Sequence, residues 1–170
     1  RRIQQIEGAY SVRLLQLFEQ LLAPGISLHY ALRKKFLQSH VERLIESGTR
    51  QVVNIGAGFD LLAWRLHKKY PDVKFLEIDH PSTNLEKVKI ITSTSPPNDN
   101  LSFLAFDLSD LDLYAALSAQ NIISPDIPTV FVCEGVFMYL GRDSVINTFR
   151  DTQKFAPHAN FLFTALAPFD

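Results

Sequence analysis

Apolar residues recur at helical spacing from Gln5 to Leu22, at Ile6, Ala9, Tyr10, Leu14, Leu17, Phe18, Leu21 and Leu22, which predicts a helix with one buried stripe. Ala23, Pro24 and Gly25 end it. A second helical run, from about Leu28 to Ser47, places Leu32, Phe36, Leu37, Val41, Leu44 and Ile45 on one face and stops at Gly48. The rhythm then changes. Short continuous apolar runs alternate with helical ones, the pattern of a parallel sheet with crossover helices. Strands are predicted at Gln51 to Ile55, Val73 to Ile78, Leu101 to Phe106, Thr129 to Cys133 and Asn160 to Ala165. Helices are predicted between them, at about Asp60 to Tyr70, Ser82 to Ile91, Asp112 to Gln120 and Arg142 to Phe155. Ser82 reads as an N-cap, and Ser93 to Asn100, with Pro96 and Pro97, as a surface loop.

The expected fold class is therefore α/β: a Rossmann-like, open, mainly parallel sheet with helices on both faces, preceded by two helices. A length of 170 residues suits one domain, 1–170, with the N-terminal helices in 1–48 and the sheet core in 49–170. Doubly wound sheets commonly carry strands beyond the fifth, so the C-terminal part of the domain is expected to be missing after Asp170. An exposed sheet edge would favour pairing with another chain, which makes a homodimer one expected assembly.

Composition narrows the partners. Seventeen basic against eighteen acidic residues give a net charge of −1, so no overall field draws the chain to nucleic acid or anionic lipid, and a small-molecule partner is favoured. No apolar stretch of about 18 residues could span a bilayer. The single Cys133 cannot make an intrachain disulfide or a zinc site, and no metal is expected. Arg1 to Glu7 lack the pattern of a signal peptide, so a cytoplasmic setting is expected.

Four elements carry candidate chemistry. Val52 to Asp60 reads as a buried strand running through Gly56, Ala57 and Gly58 into a helix; the glycines lack Cβ atoms, so a cofactor can approach the turn and the helix N-terminus closely. An ordinary tight turn is the alternative reading. About 20 residues further on, Phe75 to Asp79 ends a second strand in acid, where a carboxylate can accept both ribose hydroxyls. Glu77 and Asp79 share a side by strand alternation; Asp79 lies nearer the carboxyl end and takes the ribose role, while Glu77 reads equally as a solvated or helix-facing charge. Asp107, after the third strand, could accept from an adenine amino group with Leu108 packed on the ring, or could cap the turn before Ser109 and Asp110. Glu134, at the end of the fourth strand, could pair with a cofactor ammonium group or cap the following turn. Leu61 replaces the third glycine of G-x-G-x-x-G, which argues against a nicotinamide cofactor, and Asp107 offers the adenine site that an adenosyl cofactor needs. Cys133 reads as a small core residue.

Together these segments resemble the leucine carboxyl methyltransferase family and its bacterial small-molecule relatives, from about Leu28 to Ala165. The most specific parts are Asn54 to Asp60 with Trp64, Arg65 and Leu66, then Glu77 to Pro81, Asp107 to Leu108, and Cys133 to Leu140. The resemblance implies S-adenosyl-L-methionine as cofactor, and it places an arginine of the helix before the first strand, here Arg33, on the cofactor's carboxylate. Beside Lys34 and Lys35, Arg33 could equally be a solvated charge.

The reaction so implied is O-methylation of a carboxyl or hydroxyl group on a small molecule or peptide end. Such an in-line displacement chiefly needs donor and acceptor aligned and water excluded. A carboxylate acceptor needs no base; His80 lies nearest the cofactor edge but reads as structural, and no catalytic residue is assigned. Two alternatives stand beside it: an NAD-dependent oxidoreductase, and a non-catalytic cofactor-binding fragment.

Overall fold

A computed structural model describes residues 24–109 and 112–165. The helix predicted from Gln5 to Leu22 lies outside the described residues. The chain divides into two compact units, Arg1–His40 and Val41–Asp170. The first described element, helix α1 (Ile26–Glu46), begins in the first unit and ends in the second.

The second unit alternates strand and helix as the hydrophobic pattern predicts: β1 (Gln51–Ile55), α2 (Leu62–Lys69), β2 (Lys74–Asp79), α3 (Pro81–Thr94), β3 (Leu101–Ala105), α4 (Leu113–Ser118), β4 (Thr129–Cys133), a single 3₁₀ turn (Phe137–Tyr139), α5 (Arg142–Phe155) and β5 (Asn160–Phe163). β1 and β4 are buried along their whole length because both of their faces are covered, and neither shows apolar-polar alternation. All strand pairs are parallel, in the order β3-β2-β1-β4-β5. From β1 the chain winds outward through β2 and β3, then returns to the other side of β1 as β4. The reversal leaves a crevice beyond the carboxyl ends of β1 and β4, where ligands of such sheets bind.

Helices cover both faces. Val41 and Ile45 of α1 and Leu62, Ala63 and Leu66 of α2 pack with Val52, Phe75, Val130 and Val132 on one face. Leu113 and Leu117 of α4 and Phe155 of α5 pack with Val53, Ile55, Leu76, Ile78 and Phe131 on the other. Buried amides lock the end of the sheet remote from the crevice: the Gln51 side chain donates to Ser124 O at 2.8 Å and accepts from Ser124 N–H at 2.6 Å.

Two local expectations are corrected. Helix α3 starts before Ser82, with Pro81 in its first turn and His80 as N-cap, the imidazole accepting from the Ser82 N–H at 3.3 Å. Proline suits that first position because its φ is already helical and its missing N–H would have had no helical partner. Helix α2 likewise begins at Leu62, because the Asp60 carboxylate accepts the Leu62 N–H and holds the preceding residues in a turn.

Candidate functional site

The turn after β1 is built so that backbone, not side chain, faces the crevice. Gly56 and Gly58 hold φ of +66° and +47°, left-handed conformations that cost a Cβ-bearing residue energy. The Gly56 and Ala57 amides donate to Ile78 O at 2.8 and 3.1 Å, which draws the turn over the end of β2. A Cβ on Gly56 would stand 2.2 Å from Val136 Cγ2, so glycine is needed there for space as well as conformation.

Asp79, the last residue of β2, meets this turn. One carboxylate oxygen accepts the Gly58 N–H, and the other accepts the His80 N–H at 2.7 Å. A carboxylate offers roughly four acceptor positions, so about two remain for a ligand. Beyond β3, Asp107 Oδ1 accepts the Ser109 N–H at 2.9 Å and the Ser109 hydroxyl at 2.7 Å, the turn-capping arrangement read as one alternative from the sequence. Those two bonds, with a smaller contribution from His80, hold the Asp107 carboxyl below the usual range. Its other oxygen lies 3.6 Å from His80 Nε2.

A cleft of about 290 Å³ gathers these ends: Gly56 from β1, Asp79 and His80 from β2, Asp107 and Leu108 after β3, and Glu134 with Gly135, Val136, Tyr139 and Leu140 after β4. Of the residues singled out in the sequence, Gly56, Asp79, Asp107, Leu108 and Glu134 therefore share one cleft. Ala57 and Gly58 complete the turn beside it, Ala57 buried and Gly58 bonded to Asp79. Arg33 belongs to the first unit, where its guanidinium lies over the Tyr30 ring, 4.7 Å from the centroid. Cys133 is fully buried, and burial pushes its thiol up to about 12. It is a core residue, as its sequence context predicts.

Glu77 takes the helix-facing alternative read from the sequence, with a partner the sequence did not disclose. Glu77, 1% exposed, faces helix α3 and pairs with Lys87 Nζ at 2.7 Å, Lys87 being 4% exposed. The same ammonium donates to the backbone carbonyl of Asp60. Burial raises the Glu77 carboxyl to about 7 against the opposing attraction of Lys87, with the charges of Asp60 and Asp79 adding to the rise. The signal available in the sequence was the parity of Phe75 and Glu77: an acid on the inward face of a buried strand requires a buried partner.

A doubly wound parallel sheet with a glycine turn after β1 and acids at the ends of β2 and β4 defines a Rossmann-like methyltransferase fold. Two solved structures share it: the S-adenosylmethionine-dependent methyltransferase SibL in its apo form (14% identical, TM-score 0.55, covering 81% of this chain and 36% of that one) and the methyltransferase domain of bacterial-CtHen1-CN (16% identical, TM-score 0.55, covering 73% and 60%). The chain belongs to the leucine carboxyl methyltransferase family, whose sequence profile matches residues 8–153. It is similar to leucine carboxyl methyltransferase 1 of Caenorhabditis elegans, 29% identical over 71% of this chain and 44% of that protein. It is also similar to a protein of Mycobacteroides abscessus described as a putative S-adenosyl-L-methionine-dependent methyltransferase, 33% identical over 66% of this chain and 36% of that protein. The chain spans less than half the length of these curated relatives. Among the described residues, no helix is long and apolar enough to cross a membrane.

Proposed function

We propose that this chain carries the cofactor-binding core of an S-adenosyl-L-methionine-dependent O-methyltransferase, acting on a carboxyl or hydroxyl group of a small molecule or peptide end. The observation that carries this reading is the charge of the cleft. Among the described residues, its lining includes three carboxylates, Asp79, Asp107 and Glu134, and no lysine or arginine. A pyrophosphate-bearing dinucleotide would meet like charge there, whereas a ligand with a sulfonium, an ammonium and a ribose diol is complementary to it. The residues fit the group in a second way: the side-chain-free Gly56 faces the cleft beside an Asp79 with acceptor capacity to spare.

Adenosylmethionine, when bound, supplies the activated methyl group. Asp79 accepts the two ribose hydroxyls, held in place by the Gly58 amide. Asp107, through the oxygen not engaged by Ser109, accepts the adenine amino group while Leu108 covers the ring. Glu134 pairs with the ammonium. The half-buried apolar side chains of Val136 and Leu140 keep water from the reacting centre. The leucine carboxyl methyltransferase named among the relatives supports a carboxylate acceptor, which is already ionised and needs no base.

The test is calorimetric titration of adenosylmethionine and adenosylhomocysteine into wild type and Asp79→Ala, with NAD in parallel. Two hydrogen bonds to a charged acceptor, at about 1.5–3 kcal/mol each, predict at least a roughly hundredfold loss of adenosyl affinity in the variant while the fold persists. Unchanged affinity in Asp79→Ala would remove the ribose assignment, and NAD binding in place of the adenosyl ligands would overturn the whole reading.

A further inference from the structure

The contacts of Lys87 reach past the strand it neutralises. Its ammonium joins three segments far apart in sequence: α3, which carries it; the Glu77 carboxylate on β2; and the carbonyl of Asp60, where the glycine turn ends. The ammonium lies 2.7 Å from Glu77 Oε2 and also donates to the Asp60 carbonyl, so one buried cation ties the two groups together. Asp60 in turn fixes both sides of the turn: its N–H donates to Ala57 O at 2.8 Å, and its carboxylate accepts the Leu62 N–H that opens α2. One residue inside that span, Gly58, holds the Asp79 carboxylate.

We propose that Lys87 is a positioning residue for the cofactor edge, its buried ammonium fastening the exit of the glycine turn to β2 so that the Gly58 amide holds Asp79 in its ligand-accepting orientation; this rests on the cofactor reading above. Lys87 is not among the described residues that line the cleft, and it acts through the turn. A buried pair of charges adds little net stability compared with apolar residues of similar volume, because desolvation offsets the attraction. The tie to Asp60 is therefore separable from the stability of the fold.

Removing Lys87 alone would leave Glu77 buried without its counter-charge, and Lys87→Met is expected to fold poorly for that reason. The informative variant is the double substitution Glu77→Leu/Lys87→Met, which removes both charges and the donor to Asp60 together. Amide hydrogen exchange of the ligand-free chain is read at Gly58 and Leu62, with Phe131 and Val132 of β4 as reporters of global opening. Exchange at Gly58 and Leu62 is expected to rise about tenfold or more while β4 is unchanged, because local opening is released without global unfolding. In the same variant, adenosylhomocysteine is expected to bind about tenfold more weakly than to wild type. Exchange that rises equally in the turn and in β4 overturns the proposal, since the pair would then be merely structural. So does unchanged exchange and affinity in the double variant. Failure of wild type to bind adenosylhomocysteine at all overturns the cofactor reading instead, and with it the role of the turn that Lys87 supports.

Discussion

Gly56→Ala isolates the geometry of the glycine turn after β1, because two separate costs can be read from the structure. The backbone sits at φ +66°, a left-handed conformation that costs a residue with a Cβ about 1–2 kcal/mol. The new Cβ would also lie 2.2 Å from Val136 Cγ2, 3.0 Å from Cγ1 and 3.2 Å from Cβ, where an unstrained carbon contact is about 3.5–4.0 Å. Overpacking of this kind costs about 1–3 kcal/mol once neighbours have shifted. The sum is about 2–5 kcal/mol, a lowering of Tm by roughly 4–20 °C for a domain of this size. Gly58→Ala is the internal control: its φ is +47°, no atom lies within 4 Å of the added Cβ, and only the conformational cost of about 1–2 kcal/mol applies. Val136→Ala supplies the second control, since it removes the two methyls that clash. Urea unfolding of the two single variants at positions 56 and 136 and of their double then measures the steric part alone. The double is expected to be more stable than additivity predicts by about 1–3 kcal/mol. Equal costs at Gly56 and Gly58, or an additive cycle, would refute the claim that Val136 closes the space over Gly56.

Two further outcomes follow from buried titratable groups. Folding raises the Glu77 carboxyl from its ordinary 4.5 to about 7, so the native chain holds more protons than the unfolded chain across that interval. The contribution of Glu77 to stability is therefore full below about 4.5 and is lost as pH rises through about 7. Urea midpoints of wild type should fall relative to Glu77→Gln over that range, and parallel curves would count against the burial argument. Cys133, with its thiol pushed up to about 12, should resist iodoacetamide at about pH 8 in the native chain and react on unfolding in concentrated guanidinium chloride. Rapid native labelling would mean that β4 opens far more readily than its burial implies.

The sheet was legible because the strongest signals coincided. The mainly apolar runs at Gln51 to Ile55 and Thr129 to Cys133 mark two strands to the residue, since strands covered on both faces are buried at every position. The acids at the carboxyl ends were legible too: Asp79, Asp107 and Glu134 lie in one cleft, as a doubly wound topology requires. What escaped were contacts between residues distant in sequence. Lys87 of α3 carries no mark in the sequence that sets it apart from the other lysines, yet with Asn84 and Ile91 it forms the buried side of that helix. His80 reads as a turn residue, and only the fold sets its ring 3.6 Å from Asp107. Asn100 reads as part of a surface loop, whereas its side-chain amide is buried and donates to the carbonyls of His67 and Val73 at 3.0 and 2.9 Å. A polar residue between prolines and a strand carries no local mark of such a role.

The switch in winding direction at β1 also governs when a ligand-binding cleft can exist during folding. Gly56 and Asp79 come from one half of the winding and Glu134 from the other, so the cleft closes only after β4 has docked against β1. That docking joins segments some eighty residues apart, a long loop closure of the kind that slows folding. A ligand that bridges both halves recognises only the fully wound sheet, and mass action then favours that state: at a free concentration of 100 times Kd, by about 2.7 kcal/mol. Ligand supply would thus act on the stability of the folded chain.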